Sequence, residues 1–156
     1  MMKPRFLCAN HRHALSENPG QAIHCWQNGF DTGQLLYEQF QWKEALPHLG
    51  CALETSEIIL STKAVDTLNA CQLLTSSAIL TANTLLRLGR EKECQQVLHT
   101  SIDRLERELG ITSESKPQII HFVSCLYECL KNFSAFKQEV LSGLESPCSE
   151  TSTVVH

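Results

Sequence analysis

Apolar residues recur every three to four positions along most of the chain, which is the period of one face of an α-helix. The seven Gly and five Pro lie mostly outside these apolar stripes and are too few to separate the strands of a β fold. The pattern predicts an all-α chain with helices over about 21–40, 45–60, 67–88, 90–109, 117–130 and 134–142.

Residues at the predicted helix ends support these limits. Asp66 precedes the third helix as an N-cap, and Gly89 follows it where a left-handed residue is favoured. Gly110 is predicted to end the fourth helix. Gly29 and Gly33 weaken the first helix unless another helix packs closely against them.

The chain divides into three segments. Residues 1–20 are predicted to form an N-terminal arm or short helix that ends at the turn sequence Asn18-Pro19-Gly20. Residues 21–143 form the helical domain. Residues 144–156 form a Ser/Thr-rich tail that we expect to be disordered, because it has few apolar side chains to bury.

Composition narrows the classes of partner. The 156 residues, of which 42% are hydrophobic, suffice for one domain with a core. The net charge is −4 and no basic run is present, which argues against nucleic acid as a partner. No apolar stretch approaches the ~20 residues of a membrane span, and the N-terminus lacks a signal-peptide core. We therefore expect a cytoplasmic protein that binds neither nucleic acid nor membrane.

The eight cysteines are expected to be free thiols. Five of them lie within apolar stripes, where an unpaired cysteine acts as a small buried hydrophobe, and these are Cys51, Cys71, Cys94, Cys125 and Cys129. Disulfides are also rare in the reducing cytosol.

The predicted helices pair as hairpins in which small and large residues recur at matching positions. These residues are Gly33-x2-Leu36 with Trp42-x2-Ala45, Ala82-x2-Leu85 with Gly89 and Cys94, and, more loosely, Ser124-x2-Tyr127 with Phe133. The pattern resembles the tetratricopeptide repeat. Equivalent residues Ala45 and Cys94 are 49 positions apart, whereas the ordinary repeat has about 34 residues.

The longer period is similar to the extended hairpins of kinesin light chains and of bacterial signalling regulators. The resemblance implies an α-solenoid of about three antiparallel helical hairpins, wound as a right-handed superhelix and needing no cofactor. The alternative fold is a helical bundle without a repeat.

In a solenoid of this type the first helix of each hairpin lines the concave wall. The wall positions of the family, transferred to this chain, nominate as partner-binding residues Phe30, Gln34, Tyr37, Glu38, Ile79, Asn83, Arg87, His121 and Phe122. The resemblance implies that Asn83 holds a ligand backbone, and the guanidinium of Arg87 suits a carboxylate. The implied function is non-enzymatic binding of a peptide or helix from another protein.

Two other functions stay open. The chain could serve as a bacterial secretion-type chaperone or signalling regulator that acts through its convex face or as a homodimer. A metal-dependent regulator would use the N-terminal histidines and cysteines, although their spacing matches no known zinc finger; they are Cys8, His11, His13, His24 and Cys25.

An enzyme is not expected. The chain has no glycine-rich phosphate loop, no nucleophile elbow and no H-E-x-x-H motif. Charged residues such as Glu54, Arg104 and Glu108 are expected on solvated helix faces.

Overall fold

The computed structural model describes residues 5–112 and 114–145, and for 134–145 it describes the backbone alone. The described residues form six α-helices and no β-strand, which confirms the predicted all-α class. The helices are α1 (Ala9–Glu17), α2 (Pro19–Glu38), α3 (Trp42–Thr62), α4 (Thr67–Arg87), α5 (Glu91–Ile111) and α6 (Lys116–Glu145). None of them is long and apolar enough to cross a membrane.

Each of the long helices packs mainly against its neighbours in the chain. α2 and α3 form one antiparallel hairpin, α4 and α5 form a second, and α3 packs against α4 to join them. α4 also contacts α2 on one side and α6 on the other, whereas α2 makes no contact with α5 or α6 in the described part of the chain. This linear order of contacts is consistent with a helical repeat.

The two hairpin corners repeat one backbone arrangement at an offset of 49 residues. At the first corner the N–H groups of Phe40 and Gln41 donate to carbonyls three and five residues earlier, at 3.0 and 2.9 Å. Gly89 and Arg90 make the corresponding bonds at 3.0 and 2.9 Å. Phe40 and Gly89 both have left-handed backbones, with φ of 62° and 75°. The predicted offset and the predicted left-handed Gly89 are confirmed at these corners.

Small residues allow α2 and α3 to pack closely. A Cβ atom on Gly33 would lie 2.5 Å from the side chain of Leu49, and one on Gly29 would lie 3.0 Å from the carbonyl oxygen of His48. Gly33 and Leu49 are buried. The close packing explains why two helix-weakening glycines occur in α2.

The N-terminal arm is held on the first hairpin by a buried carboxylate. Glu54 of α3 is fully buried and accepts hydrogen bonds from the backbone N–H groups of Phe6 at 2.7 Å and Leu7 at 2.9 Å. It also pairs with the guanidinium of Arg12. The Phe6 ring covers Gly50, where a Cβ would approach it to 2.3 Å. The expectation that Glu54 is solvated is wrong, because residues 5–12 cover it.

A second charged pair is largely shielded from solvent. Arg104 and Glu108 of α5 are bonded at 2.9 Å, with side chains 16% and 8% exposed. Glu108 is close enough to Cys71 of α4 to contribute to the raised pKa of that thiol, after the larger effect of burial. The expectation that these two charges face solvent is therefore also wrong, because this side of α5 packs on α4.

Two predicted helix ends are wrong. Gly110 does not end α5, which runs on to Ile111 before Thr112 turns to an extended conformation. The separate helix predicted at 134–142 is instead the end of α6. No Gly or Pro lies between Leu130 and Ser134, and Phe133 continues the buried face, so the helix is not interrupted. The third hairpin is therefore a single long helix in the described chain.

Seven cysteines lie in the described residues and all are free thiols. Cys71 and Cys94 are buried, as predicted, whereas Cys51, Cys125 and Cys129 are only half-buried. Cys148 and the predicted disordered tail lie outside the described residues, except that Leu144 and Glu145 are the last residues of α6.

Candidate functional site

An open hollow of about 550 Å³ lies where the ends of α2 and α4 meet the middle of α6. Side chains from four helices line it, and they are Tyr37, Trp42, Asn83, Leu86, Arg87, Cys129, Asn132 and Phe133. Phe133 is buried and forms an apolar base of the hollow, whereas Arg87 and Asn132 are exposed at the surface. We call this the α2–α4–α6 hollow.

The three helices α2, α4 and α6, which contribute most of the lining, run in the same direction. The indole N–H of Trp26 in α2 donates to the Ser77 hydroxyl of α4 at 2.7 Å, and further along both helices Tyr37 lies beside Asn83. α4 and α6 likewise lie together near the beginning of α4, at Gln72, and at its end, at Arg87. The first helices of the two hairpins and α6 all contribute side chains to the hollow.

A cation and two aromatic rings connect the hollow to the first hairpin corner. The Arg87 guanidinium carbon lies 5.4 Å from the centre of the Trp42 ring, a cation–π geometry. Trp42 also meets Phe40 edge-on, with ring centroids 5.9 Å apart. Arg87 forms no ion pair with any described residue, so its charge is available to an outside anion.

The hollow contains little that could act as a nucleophile. Its one thiol, Cys129, has a pKa raised first by burial and then by Cys125 and Glu128. A raised pKa keeps the sulfur protonated near neutral pH and lowers its reactivity. The arrangement is suited to binding through an amide, a guanidinium and aromatic surface.

The structure brings together three of the nine predicted partner-binding residues. Tyr37, Asn83 and Arg87 line the α2–α4–α6 hollow. Phe30 is instead half-buried and stacked on Trp26, with ring centroids 4.8 Å apart.

The other predicted residues lie elsewhere on the same helices. Ile79 packs against the core, and Gln34 and Glu38 are exposed without lining the hollow. His121 and Phe122 line a second, smaller hollow of about 410 Å³ near the beginnings of α4 and α6. His121 also contacts the Cys125 sulfur, with Nε2 to Sγ at 3.7 Å.

Sequence reasoning missed five residues of the hollow, namely Trp42, Leu86, Cys129, Asn132 and Phe133. Trp42 directly follows the first hairpin corner, and that corner can be predicted from the sequence. An aromatic residue next to a predicted corner could therefore have been nominated as a site residue. The three residues from α6 were missed because a hairpin corner was expected near Phe133, where the helix continues.

The N-terminal histidines and cysteines do not come together as a metal site. His11, His24 and Cys25 line a separate hollow of about 550 Å³ between α1, α2 and α3. Cys8 instead caps α1, and His13 pairs with Glu17 at 3.2 Å. No three His, Cys, Asp or Glu side chains in the described residues are placed to hold a metal ion.

No protein-family model, curated protein or solved structure matches this chain.

Proposed function

We propose that the chain is a non-enzymatic protein-interaction module of the extended tetratricopeptide type, in which α2, α4 and α6 line the concave wall of a right-handed solenoid. The module binds a peptide or helix of another protein in the α2–α4–α6 hollow. One observation carries the proposal: Tyr37, Asn83 and Arg87, nominated from three separate positions of the repeat pattern, line a single open hollow.

The backbone supports the repeat. The corners at Phe40 and Gly89 have the same hydrogen bonds at the offset expected between Ala45 and Cys94. The module then consists of two full hairpins with α6 as the first helix of a third. Buried thiols such as Cys71 suit the reducing cytoplasm, where we place the protein.

The chemistry of the hollow suits a polypeptide segment. The amides of Asn83 and Asn132 can each donate and accept hydrogen bonds, as a peptide backbone requires. Tyr37, Trp42 and Phe133 supply large apolar surface, and aromatic and Arg residues commonly dominate binding energy at interfaces. The raised pKa of Cys129 fits a site that binds and does not catalyse.

The proposal can be tested with peptides selected from a random display library on the wild-type protein. A labelled selected peptide is then titrated by fluorescence anisotropy with Asn83→Ala/Arg87→Ala and with a matched pair, Asp103→Ala/Arg107→Ala. The matched pair has the same spacing on α5 and both of its residues are exposed.

We expect the Asn83/Arg87 variant to weaken binding by about tenfold or more, with unchanged helical circular dichroism, and the α5 variant to bind normally. A library that yields no binder contradicts the proposal. Binding that survives in the Asn83/Arg87 variant but is lost in the α5 variant instead indicates the convex face.

One observation favours a second function, that of a chaperone or regulator acting as a dimer. Ile120 and Tyr127 lie two helical turns apart on one side of α6 and are 53% and 49% exposed. Light scattering decides this alternative: a mass of two chains that falls to one chain in Ile120→Ser/Tyr127→Ser would support it.

A further inference from the structure

Phe40 has two features that disfavour it in the isolated domain. Its side chain is 76% exposed, which leaves a large apolar ring in water. Its backbone is left-handed, with φ of 62°, a conformation that is unfavourable for residues with a Cβ. The equivalent residue of the second hairpin is Gly89, which has the same backbone geometry without either disadvantage.

The contacts of Phe40 within the domain do little to stabilise it. Its ring touches one other ring, that of Trp42, edge-on at 5.9 Å. The corner hydrogen bond from its N–H involves backbone alone, so glycine would make it equally well. Strained residues of this kind are concentrated at functional sites.

Phe40 is continuous with the α2–α4–α6 hollow. Trp42 contacts both Phe40 and Arg87, and it lines the hollow together with Arg87. Together these three residues form a ledge of two aromatic rings and a cation, which we call the corner ledge. Among the described residues that line the hollow, Arg87 is the one charged side chain. The surface is therefore complementary to a group that is apolar at one end and anionic at the other.

We propose that Phe40 is a partner-binding residue, and that the bound segment places a bulky apolar side chain on Phe40 and Trp42 and a carboxylate on Arg87. This inference rests on the proposed function and specifies the chemistry of the segment. A guanidinium binds a carboxylate through two parallel hydrogen bonds, and the partner ring or aliphatic chain covers the apolar surface that the corner leaves in water.

The experiment uses the peptides selected on wild-type protein. We expect their sequences to be enriched in Asp or Glu close to a large apolar residue. Binding of one such peptide is measured for Phe40→Gly, for Phe40→Tyr and for Ile111→Ala, a control at another exposed apolar residue, which is 72% exposed at the end of α5. Thermal melting is measured for each variant.

Phe40→Gly should weaken binding by about tenfold or more, while its melting temperature stays the same or rises because strain is removed. Phe40→Tyr and Ile111→Ala should bind as the wild type does. Changing the acidic residue of the peptide to its amide should weaken binding to the wild type but not to Arg87→Ala.

Each contrary outcome overturns the inference. Unchanged binding by Phe40→Gly, when Asn83→Ala/Arg87→Ala has lost binding, overturns it and leaves the proposed function standing. Loss of binding together with a lower melting temperature shows that Phe40 is structural. Enrichment of basic peptides rules out the carboxylate. The absence of any selected peptide removes the proposed function itself.

Discussion

Replacing Glu54 by glutamine should release the N-terminal arm from the first hairpin. The Glu54 carboxylate is fully buried and accepts from the N–H groups of Phe6 and Leu7 and from Arg12. Glutamine has nearly the same shape but replaces one acceptor oxygen by an NH₂ donor. At least one of the donors around residue 54 then loses its acceptor.

The size of the effect follows from these contacts. A hydrogen bond to a charged group contributes about 1.5–3 kcal/mol, and a buried donor left without a partner adds to the loss. The Arg12 side chain is 32% exposed and can be solvated by water, so the loss of its contact adds little to the total free-energy change. We expect a total of about 2–4 kcal/mol, which corresponds to about a 30-fold to 1,000-fold shift toward the undocked arm.

Amide hydrogen exchange measures this shift directly. In Glu54→Gln the amides of Phe6 and Leu7 should exchange about 30-fold to 1,000-fold faster. Amides in the middle of α4 should keep their protection, because the arm opens locally. Glu44→Gln makes the same charge change at an exposed position of α3 and should have no effect. Unchanged protection of Phe6 and Leu7 in Glu54→Gln would refute the assigned role of this carboxylate.

Two further predictions concern packing and pH. Gly33→Ala should lower the free energy of unfolding by about 1–2 kcal/mol, because the clash with Leu49 exceeds the gain in helix propensity. Gly110→Ala, where a Cβ meets nothing within 4 Å, should raise it slightly; equal urea midpoints for the two variants would contradict the packing argument. Burial, with smaller charge effects, raises the pKa of Cys71 and Cys94 from 9.0 to about 11. The folded state therefore holds the two thiol protons more tightly than the unfolded state does. The contribution of the protonated thiols to the free energy of unfolding is complete below pH 9 and is lost as the pH rises toward about 11. Cys71→Ala/Cys94→Ala should show a smaller alkaline decline in urea-unfolding free energy, and an identical decline would exclude these thiols as its source.

Local signals predicted the parts of the fold that depend on a few neighbouring residues. The Asp66 side chain accepts from the Asn69 N–H at 3.2 Å as an N-cap. Gly89 ends the first helix of the second hairpin in a left-handed conformation. Both outcomes depend on contacts within a single turn, so the residue types alone were sufficient to predict them.

The path of α6 and the location of Glu54 could not be predicted in this way. A helix pattern shows an apolar face but not whether a stretch such as Leu130–Ser134 bends, and here nothing in it breaks the helix. Glu54 resembles any acidic residue on a polar helix face until the arm, almost fifty residues earlier, covers it. Phe40 could not be nominated from the sequence, because the proposal for it depends on the backbone conformation at the corner and on the position of Trp42.

From the sequence we could predict the all-α class, the first two hairpin corners and three of the residues that line the hollow, but not the continuation of α6 through the expected third corner. The class and the corners follow from helical periodicity and from turn chemistry, both of which act over a few residues. The three residues were nominated through the resemblance to the tetratricopeptide repeat. Only the tertiary structure shows which of the many polar and aromatic residues of α2, α4 and α6 share one hollow. That choice depends on packing between distant segments, where close contacts such as Gly33 on Leu49 set how near two helices can approach.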